Sequence, residues 1–510
     1  MKSATIAFCL SLTATLLHAQ APTHTPDFGE TRRLIREGMA KDSVPAAAIA
    51  VLRNGEIILE EGFGWADQEN QLAATPHTPF RLASLAKTFE ATLAAVLHEQ
   101  HRLDLDKPVN EYLKTASVSS AVWDTRGVTL RRLLMHTAGL STFNIWCDPS
   151  QPHCQFPSAD ETIRHYGIVA ERPGDYFDYS NLGFFVAGEA MARGAGRPLP
   201  DLLRDEVFRP LGMVDASLGL DSAQLRRAAV PSAPGQGRIP NQASPPGGGP
   251  LDYANALGYA SAHDLALFAA FHMKAHRPDQ RAILSDAAVD SMQFSTVSTG
   301  QTDGQRYGLG WWVEENRLGY RSVLAQGGNN LAQAWLRLIP SERVAVAVLL
   351  NRGVGFGQAV TDAALAAVLP RYGEAMTARD RERAAAQASA PATPIALDST
   401  MVGLWIGRVR TAEAEVPLEL AIAANGAVQA RIGARSDTGR ARVLTGGAPK
   451  LFIRVPGDLE APSPPGVNRV TRFYLHPRET GFSGVVTTRP PSASGLDGSV
   501  SYWAEITRRR

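Results

Sequence analysis

At 510 residues the chain exceeds what one ordinary hydrophobic core organises, so two domains are expected. Hydrophobic residues make up 44% and charged residues 20%, the composition of an ordinary globular protein. A formal charge of +1 gives no electrostatic reason to expect nucleic acid or an anionic membrane as a partner.

The chain opens with Lys2, an apolar run from Ile6 to Leu17, and Leu17-His18-Ala19. This pattern predicts a signal peptide over residues 1–19, cut after Ala19, with Ala21 as the second choice. The run is short for a membrane span, so no stable membrane insertion is expected after cleavage, and the destination is periplasmic or secreted. Cys9 lacks the small-residue lead-in of a lipoprotein site.

Phe28, Leu34, Ile35 and Met39 fit a helix with one buried face. Ala46 to Leu52 and Glu56 to Trp65 read as strands joined through Arg53-Asn54-Gly55, a strong hairpin signal. Leu85 to Leu97 reads as a helix apolar enough to be buried on most sides, followed by a polar connection through Leu103, Asp106 and Pro108. Val128 to Met135 gives another helix, stopped by His136-Thr137-Ala138-Gly139, where the glycine suits a left-handed turn. Cys147 and Cys154 flank a loop-forming stretch, and in an exported protein they are expected to form a disulfide. Two free thiols are the alternative, and a metal site is the less expected reading.

Pro231 to Pro250 reads as a long surface loop. Ser322 to Leu324, Ala332 to Ile339 and Val344 to Leu350 read as strands, and Val360 to Leu369 as a helix. Residues 22–372 therefore predict an α+β domain: one antiparallel sheet assembled from N- and C-terminal pieces, flanked by helices, with a helical insert. Residues 373–400 read as a linker or short connecting helix. From Met401 to Arg510 the alternation is β. Val416, Leu418, Leu420 and Ile422 form one strand, Asn425-Gly426 a turn, and Val428, Ala430 and Ile432 the next. A small closed antiparallel barrel of roughly eight strands is expected, which either restricts the approach to a cleft or merely docks.

The chemistry is confined to the first domain. Lysine is scarce, seven against 44 arginines, and only Lys87 has a serine three residues before it. Ser84-Leu85-Ala86-Lys87 puts a hydroxyl and an amine one helical turn apart, on one face. Serine is a poor nucleophile without a base in reach. Lys87 would serve as that base in a dry site, or would as a cation lower the pKa of a neighbouring phenol. Tyr179 in Tyr179-Ser180-Asn181 is the candidate phenol, and the sequence leaves open which of the two takes the serine proton. Gln326-Gly327-Gly328 offers a glycine-rich edge for a substrate carbonyl.

Phe80-Arg81-Leu82-Ala83-Ser84-Leu85-Ala86-Lys87-Thr88-Phe89 resembles the nucleophile segment of the beta-lactamase-related serine hydrolases. That family includes class C beta-lactamases, penicillin-binding DD-peptidases, D-aminopeptidases and esterases. Leu133 to Leu140, Pro173-Gly174 ahead of Tyr179-Ser180-Asn181, Pro210-Leu211-Gly212-Met213 and Tyr307-Gly308-Leu309-Gly310-Trp311 are similar to its other signatures, in order, over roughly residues 28 to 370. The resemblance implies a beta-lactamase/transpeptidase-like fold followed by a lipocalin-like barrel. It implies Ser84 as the acylated nucleophile, Lys87 and Tyr179 as the proton-handling pair, and Asn181 contacting the substrate amide. The third motif departs from the family: Gln326 stands where lysine or histidine is usual. A neutral residue there favours neutral esters or amides over anionic substrates, unless Arg352 restores a charge. The oxyanion hole is expected from the backbone N–H groups of Ser84 and Asn329.

Other signals are weak. Gly353-Val354-Gly355-Phe356-Gly357 lacks a following lysine and reads as a strand-to-helix turn, and no Gly-x-Ser-x-Gly elbow is present. Twelve histidines show no metal-ligand spacing, so neither metal nor cofactor is expected. His136 reads as a helix-end residue rather than a base, and Trp311, Trp312 and Trp146 as packing or cleft residues. The expected partner is a small-molecule or peptide substrate: a beta-lactam, a D-amino-acid peptide or a carboxylic ester. The competing expectation is a catalytically weak protein that binds cell-wall or peptide fragments.

Overall fold

The computed structural model describes residues 25–140, 158–233, 237–241, 258–275, 277–300, 304–387, 397–411, 414–444, 450–457, 459, 470–489 and 500–509. The segment expected to be a signal peptide, Trp146, Cys147 and Cys154 lie outside these, as does most of the stretch from Pro231 to Pro250.

The expected hairpin forms from Ala46–Arg53 and Glu56–Asp67. Asn54 and Gly55 both take positive φ, 52° and 85°, as the tight turn between right-twisted strands requires. Ala46 to Leu52 is wholly buried, because its other edge pairs with Val344–Leu350, Ala47 opposite Leu350. The N- and C-terminal pieces thus meet at the centre of one antiparallel sheet of nine strands. From Val344–Leu350 the order continues outward through Ala332–Ile339, Tyr320–Asn329 and Trp312–Arg317 to two short edge strands. Every residue of Val344–Leu350 is buried, so both faces of the sheet are covered. One apolar cluster joins it to the helices Gly29–Asp42 and Gly357–Val368. The larger cluster lies on the other face and takes in the helical insert between Ala83 and Phe294.

One local expectation shifts and another is made definite. Helix Leu130–Leu134 ends with His136 itself left-handed, φ 58°, three residues before Gly139 at 77°. Where a linker or short connecting helix was expected after Tyr372, a helix spans Pro370–Gln387. It is anchored by buried Tyr372, whose hydroxyl donates to Asp362 at 2.6 Å. Proline fits the first helical position and alanine the interior, so a composition read as a linker is also a helix composition.

The C-terminal part is a closed barrel of eight antiparallel strands from Gly403–Arg410 to Val500–Arg508, completed by pairing of the first with the last. Its inward residues form a separate apolar cluster. The barrel leans on the segment that leads to Tyr179. Arg478 bonds buried Glu171, His476 stacks on Tyr176 with centroids 3.9 Å apart, and Ala170 packs with Val485 and Trp503.

Candidate active site

Ser84 sits in a tight 3-10 turn, Ala83–Ala86, that runs directly into the helix Lys87–Glu99. Ala83 has φ 47°, a left-handed conformation costly for a residue with a Cβ, so the turn holds strain just before Ser84. Lys87 is 1% exposed and its Nζ donates to Ser84 Oγ at 3.2 Å. The same Nζ lies 5.2 Å from the Tyr179 ring centroid and 5.5 Å from that of Phe184. A lysine brought this deep beside a hydroxyl is not snorkelling to solvent. One turn further, Glu90 is fully buried with neither carboxyl oxygen hydrogen-bonded. Burial raises its pKa to about 8, against the opposing pull of the Lys87 charge, so the carboxyl is protonated at neutral pH.

Tyr179 is set by its neighbours. Ser180 caps the helix Asn181–Ala195 by accepting from Gly183 N–H at 2.8 Å, and buried Asn181 opens that helix. His136 then clamps the tyrosine from both sides along the chain. Its carbonyl accepts from Asp178 N–H at 2.8 Å, and its ring Nδ1 accepts from Ser180 N–H at 3.0 Å. Nδ1 is therefore the unprotonated nitrogen. Burial, with the Lys87 charge second, holds the His136 pKa well below its ordinary value, so the ring is a neutral acceptor. The sequence pointed to a helix-end residue, and the structure adds that this helix end fixes Tyr179, whose ring lies 4.2 Å from the imidazole.

The third element is the strand Tyr320–Asn329. Gly327 presses onto the nucleophile turn: a Cβ there would fall 2.0 Å from Leu82 O and 2.7 Å from Ser84 N. Asn329 pairs with Ala332 across Asn330-Leu331. A two-residue connection makes that pair the one exchanging backbone hydrogen bonds, because the alternative would bond adjacent residues. The N–H groups of Asn329 and Gly327 thus point into Ala332–Ile339, and those of Gln326 and Gly328 point to the opposite edge. Among the described residues that edge is unpaired beyond Leu324, where Trp312–Arg317 stops pairing. The expectation of an Asn329 N–H donor is corrected to Gly328. The Asn329 side chain instead accepts from Leu331 and Ala332 N–H, at 2.8 and 3.0 Å, and so closes the hairpin.

Ser84, Tyr179, Gln326, Gly327 and Gly328 line one cleft of about 370 Å³ with Trp312, Gln333 and Trp335. None of these side chains carries a charge. Trp312 stacks on Tyr179 at 6.0 Å, while Trp311 is core. Arg352 does not restore a cation here. Its guanidinium reaches Ser43 O at 3.1 Å and Ser232 Oγ at 3.4 Å, and it is not among the cleft residues. Sequence reasoning missed Gln333 and Trp335. Their alternation on Ala332–Ile339, opposite Gly328 and Gln326, was the available signal. Away from the cleft, the fold gathers Glu60, His77 and His263 with ligand-type atoms within 4.8 Å of one another. A 2.8 Å contact between His263 Nδ1 and Glu60 accounts for part of that grouping.

A family model described as Beta-lactamase matches residues 31–370. Protein flp of Staphylococcus aureus (strain MRSA252) is 23% identical over 319 residues, 62% of this chain and 62% of that protein. The chain thus spans about 62% of the length of the curated relatives it first matches. Among solved structures, the octameric penicillin-binding protein homologue from Pyrococcus abyssi aligns with a TM-score of 0.60 at 20% identity. That alignment covers 94% of this chain and 100% of that one, so the likeness in fold takes in the barrel as well. EstCE1, a hydrolase with promiscuous acyltransferase activity, aligns with a TM-score of 0.54 at 21% identity, over 66% of this chain and 97% of its own. The family match runs from the first helix to the start of the last one and encloses Ser84, Lys87, Tyr179 and the open strand edge, so this chain belongs to the beta-lactamase family of serine hydrolases.

Proposed function

We propose that this protein is an exported serine hydrolase that acylates Ser84 with a neutral ester or amide and releases the acyl group to water. The observation carrying this reading is the 3.2 Å contact from buried Lys87 Nζ to Ser84 Oγ, at a cleft whose described lining is uncharged. Ser84 Oγ attacks the carbonyl carbon while its proton passes to the Lys87–Tyr179 pair. The carbonyl oxygen becomes an oxyanion held by the N–H groups of Ser84 and Gly328, and removing one such donor costs about 10²–10³ in rate. The leaving group takes the proton back through Tyr179, and water repeats the sequence in reverse on the acyl-enzyme. Asn181, at the start of its helix, orients the substrate amide or ester beside Lys87.

The neutral cleft gives the substrate preference its direction. A substrate carboxylate meets no guanidinium or ammonium among the described lining residues, so a charge-assisted bond is missing that is worth about twice a neutral one. Trp312 and Trp335 instead offer apolar walls for an acyl or alcohol group. Incubating the folded protein with a fluorophosphonate probe and mapping the labelled peptide tests the nucleophile. Label elsewhere with Ser84 unmodified ends the assignment. Turnover of p-nitrophenyl esters, a D-alanyl p-nitroanilide and a chromogenic cephalosporin tests the preference, and a cephalosporin rate above that of the esters reverses it. Export belongs to the same reading: N-terminal sequencing of the secreted form is expected to begin at Gln20, with a Cys147–Cys154 bridge leaving no free thiol.

A further inference from the structure

The near-zero charge of the chain conceals an asymmetry. Residues 401–510 contain 15 Lys and Arg against 9 Asp and Glu, while the remainder contains 36 against 41. The barrel is thus net +6 on a partner segment of −5, and part of that excess is concentrated on one outer face.

Three neighbouring barrel strands, Arg435–Leu444, Lys450–Pro456 and Val470–Arg478, build that face. Their register puts Arg440 opposite Arg454, and Arg454 opposite Arg472, so three guanidinium-bearing residues stand in one cross-strand row. The next row on the same face is Arg442, Phe452 and Tyr474. Like charges directly opposite one another destabilise a sheet, and a barrel gains nothing by aligning them. Three other barrel arginines are neutralised: Arg408 by Glu415 and Glu505, Arg435 by Asp437, Arg478 by Glu171. None of the four arginines of these two rows has an ion pair among the described residues. Among the described residues Arg440 donates only to the Asn425 carbonyl at 3.3 Å, Arg442 lies over the Phe452 ring at 4.9 Å, and the buried Arg472 Nε has no partner. A concavity of about 430 Å³ opens among them.

We propose that this face is a binding site for a ligand bearing phosphate groups in series, separate from the Ser84 cleft. Guanidinium forks match phosphate oxygens in two-point contacts, and a phosphate brings more charge per group than a carboxylate. Strands stand about 4.8 Å apart, so the row spreads three forks over roughly 10 Å, a length that fits an extended polyanion rather than one small anion. Phe452 and Tyr474 add an apolar shelf beside the charged row. A soluble phosphate chain and the headgroups of an anionic bilayer share this chemistry, and they separate by experiment.

The test uses the full-length protein and an Arg454→Gln/Arg472→Gln variant, neither position touching the Ser84 cleft. Calorimetric titration with tripolyphosphate is expected to show binding to the parent that weakens as salt is raised, at least tenfold weaker in the variant. Co-sedimentation with phosphatidylglycerol vesicles, against phosphatidylcholine vesicles, reports the membrane source. Tripolyphosphate binding without vesicle retention identifies a soluble ligand, whereas retention on phosphatidylglycerol alone identifies a headgroup. Without ligand, the variant is expected to keep its ester turnover and to melt no lower than the parent at low salt, because like-charge contacts have been removed. Absence of binding in both arms overturns the proposal, as does binding that the variant retains. Citrate binding as tightly as tripolyphosphate overturns the phosphate class.

Discussion

Replacing Glu90 with glutamine isolates the cost of burying a carboxyl one helical turn from Lys87. Glu90 is inaccessible to solvent and neither oxygen has a hydrogen-bond partner, which is why its pKa stands near 8 rather than 4.5. Between those pH values the folded protein keeps a proton that the unfolded chain releases. The stability associated with this group is therefore complete below pH 4.5 and is lost as pH rises towards 8. At 1.36 kcal/mol per pH unit the loss is roughly 5 kcal/mol, comparable with the whole stability of many domains. Glutamine has nearly the same shape and does not titrate. Glu90→Gln is expected to match the parent at pH 4 and to exceed it by several kcal/mol at pH 8.5. Urea unfolding of both proteins across that range measures the gap, and since other buried groups, Asp264 among them, are common to both, their contributions cancel. A gap that does not change with pH refutes the argument.

Three further outcomes follow from the site geometry. Gly327→Ala places a methyl group 2.0 Å from Leu82 O, forcing strand and nucleophile turn apart. Acylation of Ser84 by the fluorophosphonate probe is expected to fall at least a hundredfold, and undiminished labelling contradicts the contact. His136→Asn removes the acceptor that holds Ser180 N–H, so the acylation rate is expected to drop about tenfold to a hundredfold with no change in the shape of its pH profile. A lost limb in that profile would instead make His136 a base. Ala83→Gly relieves a left-handed alanine, and the relief of about 1–2 kcal/mol exceeds the entropy cost of glycine at about 0.5–1 kcal/mol. Chemical unfolding is expected to show a modest gain, and a clear loss of stability refutes the strain.

What the sequence disclosed here is what short-range physics determines. Asn54-Gly55 between apolar runs specifies a hairpin because only a positive-φ turn joins such strands, and Ser84 and Lys87 meet because three residues is one helical turn. The barrel was legible for the same reason, as inward and outward residues alternate along Glu415–Ile422 and Ala427–Ile432. The clamp on Tyr179 was not. It joins His136 to residues 44 and 42 positions away, through one ring nitrogen and one carbonyl, and nothing in the local pattern around His136 specifies those partners. The arginine row is similarly hidden, since it exists only once three strands have taken one particular register.

Register also decides the oxyanion donor. In a strand the amides alternate in direction, so moving one residue along the chain exchanges a donor facing the cleft for one consumed by the neighbouring strand. The glycine-rich motif locates the edge but not its phase, because Gly327, Gly328 and Asn329 carry no apolar alternation from which to count. The phase comes from the turn: two residues, Asn330 and Leu331, lie between paired Asn329 and Ala332, and this alone turns Gly328 N–H outwards. Gly327 confirms the direction independently, since it is the position whose absent side chain lets the strand lie against Ser84 N. An insertion of one residue between Asn330 and Leu331 would let the register shift and face a different amide towards the nucleophile. Such a variant is expected to fold, to keep Ser84 beside Lys87, and to acylate about a hundredfold more slowly, as when one donor is deleted. Unchanged acylation would mean that the strand edge does not hold the oxyanion.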